Sequence, residues 1–264
     1  MSDNPKYLES FLSPDQNATG FLRNSPDPLR YDGHVMDSDE VSGIVAGMVP
    51  IGARVLDIGC GTGSLGQILT DVRHAEVVGV EPDPARAQRA MERNLEVHTG
   101  YLTRELLREI GLFDVVLFAD VLEHLPNPQP MLALSREAIR AGGAVVVSVP
   151  NVAHWSVRVD IIRGKFRYQS CGIMDATHLR WFTRESINSL VESAGFKVTH
   201  YRATAGLLLS DNVLRRPLRW LPEKWRTRLL RTACLHWPTL FGCQYVLRAE
   251  LDEYDRRHSR EFNG

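Results

Sequence analysis

Cysteine is scarce in this 264-residue chain: Cys60, Cys171, Cys234 and Cys243 are all there is, and no two form a CxxC pair. That spacing argues against a disulfide framework or a zinc ribbon, and the expected setting is reduced and cytoplasmic. No apolar run approaches the roughly 20 residues needed to cross a bilayer. The opening Met-Ser-Asp-Asn-Pro-Lys has no apolar stretch of signal-peptide length, so no secretion is expected. An excess of either charge is missing too. With 31 basic and 32 acidic side chains the net charge is −1, which gives no global attraction to nucleic acid. No internal repeat is visible. The chain does have the composition of an ordinary globular protein, 44% hydrophobic and 24% charged, and a length that suits one large domain or a domain with an insertion.

Residues 53–63 read Ala-Arg-Val-Leu-Asp-Ile-Gly-Cys-Gly-Thr-Gly. Val55, Leu56 and Ile58 have the pattern of a buried parallel strand. Gly59, Gly61 and Gly63 follow as a tight turn, with Cys60 inside it, and Ser64 is placed to cap a helix through residue 71. Glycine suits such a turn because the backbone must bend sharply and come close to a ligand without a Cβ in the way. Residues 61–66 also fit the dinucleotide fingerprint GxGxxG, which alone is weak evidence. Asp57 discriminates. A carboxylate at the end of the strand would repel a pyrophosphate lodged on the following helix N-terminus. It suits a phosphate-free nucleoside carrying positive charge, and S-adenosylmethionine (SAM), with an ammonium and a sulfonium, is such a ligand. A second strand over residues 76–81 ends in Glu81, an acid placed to accept both ribose hydroxyls of an adenosine. NAD enzymes use the same device, so Glu81 discriminates only together with Asp57.

Residues 1–37, rich in Pro, Asn, Asp and Ser, are expected to be a flexible arm. Residues 38–251 then form one domain. Helix is expected over 38–49, and strand and helix alternate from there on. The strands fall at 76–81, 95–98, 113–119 and 144–149, with helices at 103–110 and 130–141. This alternation implies a parallel sheet with helices on both faces and ligands beyond the carboxyl ends of the strands. Asp57, Glu81, Asp120 and Asn151 fall at such ends. A further helix over 183–194 precedes a sixth strand over 196–201, and residues 252–264 read as a charged tail.

Three stretches carry a resemblance: Val55-Leu-Asp-Ile-Gly-Cys-Gly-Thr-Gly63, Val80-Glu-Pro-Asp83 and Phe113-Asp-Val-Val-Leu-Phe-Ala-Asp-Val-Leu-Glu-His-Leu125. Together they resemble the class I SAM-dependent methyltransferases over roughly residues 38–204. The last is most similar to the ubiquinone-biosynthesis O-methyltransferase branch, and also to methyltransferases of bacterial surface-sugar pathways. The resemblance implies a Rossmann-like, doubly wound sheet of seven mostly parallel strands. It implies an antiparallel last strand at 243–250, which leaves residues 205–241 as an insertion. Many relatives have Gly-Asp after the third strand, the acid contacting adenine. Here Gly100 is followed by Tyr101, so the adenine contact falls to backbone or to stacking on Tyr101.

Methyl transfer to a hydroxyl requires in-line geometry and removal of a proton, so a base or a metal is expected. Three polar clusters are candidates. If a helix begins near Asp120, then Asp120, Glu123 and His124 share one face, and Asp120 can serve cofactor and acceptor alike. The resemblance implies a divalent ion at these three residues. Simple packing at the sheet rim is the competing reading, and a metal is carried as the lesser alternative. Asn151, at the end of the fifth strand, is placed near the transferring methyl, with His154 and Trp155 beyond it. The third cluster, Asp175-Ala-Thr-His-Leu-Arg-Trp-Phe-Thr183, follows a loop over 164–172 with the character of a lid. His178 is the preferred general base because imidazole titrates near pH 6.5, and Arg180 is expected to pair with Asp175 or with an anionic substrate.

Within the insertion, residues 213–231 hold seven basic side chains and one acid, Glu223, interleaved with Trp220, Trp225 and Leu229. This pattern suits an anionic membrane surface at the inner face of a membrane, or a phosphate-bearing acceptor, or simply a solvated cap. The expected activity is SAM-dependent O-methylation of a small-molecule or glycan-precursor hydroxyl, foremost that of a sugar. The alternatives are a phenol or quinol of lipid biosynthesis, or a non-catalytic SAM-binding partner protein. Nucleic acid is not expected as a substrate, because the fourth strand is not followed by Asn/Asp-Pro-Pro-Tyr.

Overall fold

The computed structural model describes residues 36–206 and 220–251. Alternation along the strands sets its layers. On one face of the sheet lie Leu56 and Ile58 of β1 (Arg54–Ile58), Val78 and Val80 of β2 (Glu76–Glu81), Val116 and Phe118 of β4 (Phe113–Ala119), and Val145 and Val147 of β5 (Ile139–Pro150). Their neighbours Val55, Val77, Val115, Leu117 and Val146 fill the other face. Side chains alternate along a strand, so burying both faces makes these strands almost continuously apolar. Helix α1 (Val41–Met48) and α2 (Ser64–Arg73) cover the second face through Ile44, Val45, Leu65 and Leu69. The first face is covered by α4 (Arg104–Ile110), α5 (Gln129–Ser135) and α7 (Arg184–Ser193), which bring Leu107, Leu132, Ile187 and Val191. Between them in sequence are α3 (Pro84–Met91), which Asp83 caps through the amides of Ala85 and Arg86, and α6 (Trp155–Ile162).

The seven strands run in the order β3-β2-β1-β4-β5-β7-β6, with β3 at Glu96–Thr99, β6 at Phe196–Thr204 and β7 at Gln244–Leu251. Strands β1 to β5 pair in parallel, and β7 lies antiparallel between β5 and β6. The winding reverses between β1 and β4, so the crevice for a ligand opens at their carboxyl ends. The sheet therefore has the expected doubly wound form, including the antiparallel last strand.

The helix expected over 130–141 is shorter. It stops at Ser135, and one 3-10 turn (Arg136–Ala138) follows. Ile139 already pairs with Phe113, and a register shift before Val115 absorbs the glycines. Pairing with the edge of β4 overrides the helical pattern there.

Of the insertion, the described part forms α8 (Glu223–His236) and α9 (Pro238–Phe241). Leu230 and Cys234 pack on Ala203 and Ala205 of the sixth-strand edge, and Arg231 reaches Asp37 and Asp39 at 3.3 and 3.1 Å. The expected arm before residue 36, residues 207–219 of the insertion and the tail from 252 lie outside the described residues. Among the described residues, no helix is long and apolar enough to cross a membrane.

Candidate active site

The glycine turn after β1 is built as its sequence requires. Gly59, Gly61 and Gly63 have φ of +71°, +56° and +75°, a region costly for residues with a Cβ. A Cβ on Gly63 would also come within 2.7 Å of Leu95 Cδ1 and 2.8 Å of Ala90 Cβ, so the turn is packed on its inner side. At Gly61 nothing lies within 4 Å of that position, and this face is open to a ligand. Gly63 itself occupies the N-cap of α2, with Ser64 as the first helical residue, so the expected serine cap does not form. The amides of Gly59 and Cys60 donate to Val80 O at 2.7 and 3.3 Å, tying the turn to β2. Cys60 contributes that backbone; its buried thiol, held up by burial and by Asp57, stays protonated.

Glu81 does something the sequence did not reveal. Its carboxylate accepts from Gly61 N–H at 2.9 Å and from Asp83 N–H at 3.0 Å, so it clasps the glycine turn to the start of α3. Asp57 lies beside it, only 2% exposed. Burial first, and the Glu81 charge second, push the Asp57 carboxyl up to about 7. Asp57 makes no ion pair among the described residues, so two buried acids face each other below an open glycine face. That donor set fits a cationic nucleoside: an ammonium satisfies Asp57, and ribose hydroxyls satisfy the lone pairs that Glu81 keeps. Tyr101, after β3, is 71% exposed and presents its ring to solvent.

On the acceptor side the structure rearranges the expected groups. Asp120 is not the start of a helix. It sits at φ +55°, and the helical element after it is a single 3-10 turn, Leu122–His124. The Asp120 amide donates to Ser148 Oγ, whose hydroxyl donates back to Asp120 Oδ1 at 2.9 Å. Gln244 Nε2 reaches both carboxylate oxygens at 3.0 Å. Asp120 thus clasps β4, β5 and β7 together and does not share a face with Glu123 and His124. Ser148 and Gln244 are ordinary polar residues in apolar strands, and nothing in their spacing announced this role.

Asn151 is also corrected. It is fully buried; its Nδ2 donates to Thr239 O and Gly242 O at 3.0 and 2.7 Å, and its Oδ1 accepts from Ala153 N–H at 2.9 Å. It knots β5 to the chain before β7 and has no face for an acceptor. His154 caps α6 and is buried, and burial lowers its pKa to about 4. Arg180 donates to Pro126 O, and Asp175 instead accepts from Thr177 N–H and Oγ1–H.

His178, His124 and Glu123 do come together. The amides of Leu179 and Arg180 donate to Glu123 O at 2.8 and 3.0 Å, which lays the 173–183 segment across the 3-10 turn. The two imidazole rings then meet edge to face at 5.0 Å. Desolvation first, and His124 second, lower the His178 pKa, which favours a neutral ring able to take a proton. Glu123 is 1% exposed, and desolvation raises its pKa well above the usual carboxylate range. One ligand atom from each of Glu123, His124 and His178 lies within 4.8 Å of the others, a donor set that fits a divalent cation. The set the resemblance implied, with Asp120 in place of His178, does not assemble.

Residues 13–201 match the methyltransferase domain family model. Curated relatives include the ubiquinone biosynthesis O-methyltransferases of Ruegeria sp. (35% identical over 105 residues, 38% of this chain and 42% of that one) and Ruegeria pomeroyi (31% over 153 residues, 55% and 60%). The chain thus spans about half the length of these relatives. Among solved structures, a SAM-dependent methyltransferase of Thermotoga maritima aligns with a TM-score of 0.53 at 17% identity, covering 79% of this chain and 86% of that one. With the acid-flanked glycine turn and the sheet order already in place, these matches assign the chain to the methyltransferase domain family, as a class I SAM-dependent methyltransferase.

Proposed function

We propose that the protein moves the methyl group of SAM to a hydroxyl of a small aromatic acceptor, a phenol or quinol. The observation that carries the cofactor end is the buried Asp57 without a cationic partner, beside the open face of Gly61. When bound, SAM supplies an electrophilic methyl on a sulfonium that departs as a neutral thioether. Asp57 holds the ammonium and Glu81 the ribose. The acceptor oxygen is presented at the rim where His124 and His178 stand, and an imidazole there takes the hydroxyl proton as the oxygen–carbon bond forms.

The choice of acceptor rests on the aromatic rings of the 164–172 loop and on Trp181 of the segment that carries His178. Phe166 and Tyr168 stand 5.5 Å apart, and Trp181 is 5.7 Å from Phe166 and 6.3 Å from Tyr168, with Phe166 and Tyr168 exposed. The rings meet edge to face or tilted, an exposed aromatic cluster against which a flat ring can pack. A phenolic hydroxyl, with a pKa of about 10, is also within reach of an imidazole base, whereas an aliphatic sugar hydroxyl is a far weaker acid. The names of the curated relatives point the same way. Incubation with methyl-labelled SAM and two acceptor panels, phenols and quinols against nucleotide-linked sugars, separates the readings. Label in the aromatic panel is expected. Label confined to sugars overturns the aromatic reading, and SAM binding with transfer to neither panel favours the non-catalytic partner protein.

The described part of the insertion supports a further contact. Trp225 is 61% exposed on α8, with Leu229 one turn on and Lys224 and Arg228 alongside. Leu230 and Cys234 face inward, so this basic, Trp-bearing face is directed to an anionic lipid surface. Sedimentation with anionic vesicles at low salt should carry the protein down, and salt should release it. No sedimentation even at low ionic strength contradicts this contact.

A further inference from the structure

We propose that the cleft between α6, α7 and α9 binds a small phosphate monoester that carries free hydroxyls, of the sugar-phosphate class. The cleft shares no lining residue with the Asp57–Glu81 crevice or with the His124–His178 rim. The proposal therefore stands apart from the methyl-transfer reading and is measured without turnover.

The cleft has a volume of about 440 Å³, within the range of small-ligand sites. Its walls carry Arg158 of α6, Arg184, Glu185 and Asn188 of α7, and Thr239 of α9. Asn151 fixes these walls to one another. Its side chain donates to Thr239 O and accepts from Ala153 N–H, and its backbone bridges to Phe182, beside the Thr183 cap of α7.

Two arginines on facing walls supply the anion-binding half. Arg158 donates through Nε to Ala153 O, which fixes its guanidinium, and its two terminal nitrogens have no partner among the described residues. Arg184 lies 4.3 Å over the Tyr201 ring instead of pairing with the adjacent Glu185. Neither guanidinium forms an ion pair among the described residues, and each is a planar fork that matches phosphate oxygens. The amides of Arg184 and Glu185, first in the ten-residue α7, have no intrahelical acceptor and add to the positive end.

The other groups require a ligand with hydroxyls. Asn188 stands one turn after Arg184 on the same side of α7, and its Oδ1 is buried without a partner. Native structures seldom leave such an atom unsatisfied. Rotation about the soft last torsion of the amide presents that oxygen, which can only accept, to the cleft. The exposed Glu185 carboxylate is a second acceptor on the same wall. Behind Thr239, the fully buried Tyr245 has a hydroxyl with no hydrogen-bond partner, within reach of the charges of Arg158 and Arg184. Burial holds that phenol above its ordinary pKa, so it stays a donor. Donors for a phosphate and acceptors for hydroxyls thus meet in one recess.

The test is calorimetric titration of the full-length protein at fixed ionic strength with glucose 6-phosphate, inorganic phosphate and glucose. One saturable site for the sugar phosphate is expected, with weaker binding of inorganic phosphate and none of glucose. Arg158→Gln and Arg184→Gln should each weaken the sugar phosphate by roughly 10- to 150-fold, the effect of losing one hydrogen bond to a charged group. Asn188→Ala should remove most of the preference over inorganic phosphate. Both arginines are exposed, so their variants should keep the parent's melting temperature and SAM affinity. The proposal is overturned by absence of saturable sugar-phosphate binding to the parent, by equal affinity for inorganic phosphate, or by binding that survives both arginine substitutions. Loss of sedimentation with phosphatidylglycerol vesicles in both arginine variants, with no soluble ester bound by the parent, assigns the cleft to a lipid headgroup and overturns it as well.

Discussion

Asp57→Asn should weaken SAM binding by roughly 30- to 4,000-fold, the consequence of removing one member of a buried charge pair worth about 2–5 kcal/mol. The substitution keeps the shape of the side chain, so packing under the glycine turn is undisturbed. Its effect on stability has the opposite sign to its effect on binding. The folded-state pKa of Asp57 is raised from 3.8 to about 7 by burial and by Glu81. The folded protein therefore holds that proton more tightly than the unfolded chain does. The resulting stability is present below the unfolded pKa and is lost as pH rises through about 7. At pH 8 the Asn variant, with no charge to bury beside Glu81, should melt at or above the temperature of the parent. A variant that binds SAM poorly and yet is no less stable separates ligand recognition from folding. The parent carries a matching pH dependence: between about pH 7 and pH 5, SAM affinity should fall close to tenfold per pH unit as Asp57 takes up its proton, and the Asn variant should show no such slope. A flat profile for the parent contradicts an Asp57 contact with the cation.

Asn151→Ala should be destabilising by about 1–3 kcal/mol, because it removes a fully buried amide and leaves the buried Gly242 carbonyl without that donor. For a domain of this size that lowers the melting temperature by about 2–12 °C. SAM affinity per folded molecule should be unchanged, since the Asn151 side chain is bonded to Thr239, Gly242 and Ala153. A variant with the parent's melting temperature and a collapsed turnover would return Asn151 to the acceptor pocket, where its position at a strand end first placed it.

These two residues show what the sequence could and could not convey. Asp57 was legible because it stands in a short local run, strand–acid–glycine turn, whose chemistry does not depend on distant partners. The sheet was legible for a similar reason: strands buried on both faces read as apolar runs, and glycines and prolines mark their ends. The partners of Asn151, His154 and Asp120 could not be read because they come from far along the chain. Thr239, Gly242, Cys243 and Gln244 reach them only through the antiparallel β7, which no local pattern announces. Helical spacing put Asp120 on a face with Glu123 and His124. The left-handed backbone at Asp120 breaks that face, and the cross-strand bonds to Ser148 and Gln244 take its carboxylate. His178 was found within a local polar run, residues 175–183, after a loop. Its neighbour His124 and the unpartnered Glu123 become a cluster only when Leu179 and Arg180 bond to the 3-10 turn.

Titration calorimetry of the full-length protein at pH 8 with SAM and, separately, with NAD is the most direct measurement. A single SAM site per chain and no heat from the dinucleotide are predicted, because a buried pair of acids repels a pyrophosphate and attracts an ammonium. Tight NAD binding with none for SAM would contradict the assignment of Asp57 and Glu81 and, with it, the methyl-transfer chemistry built on them.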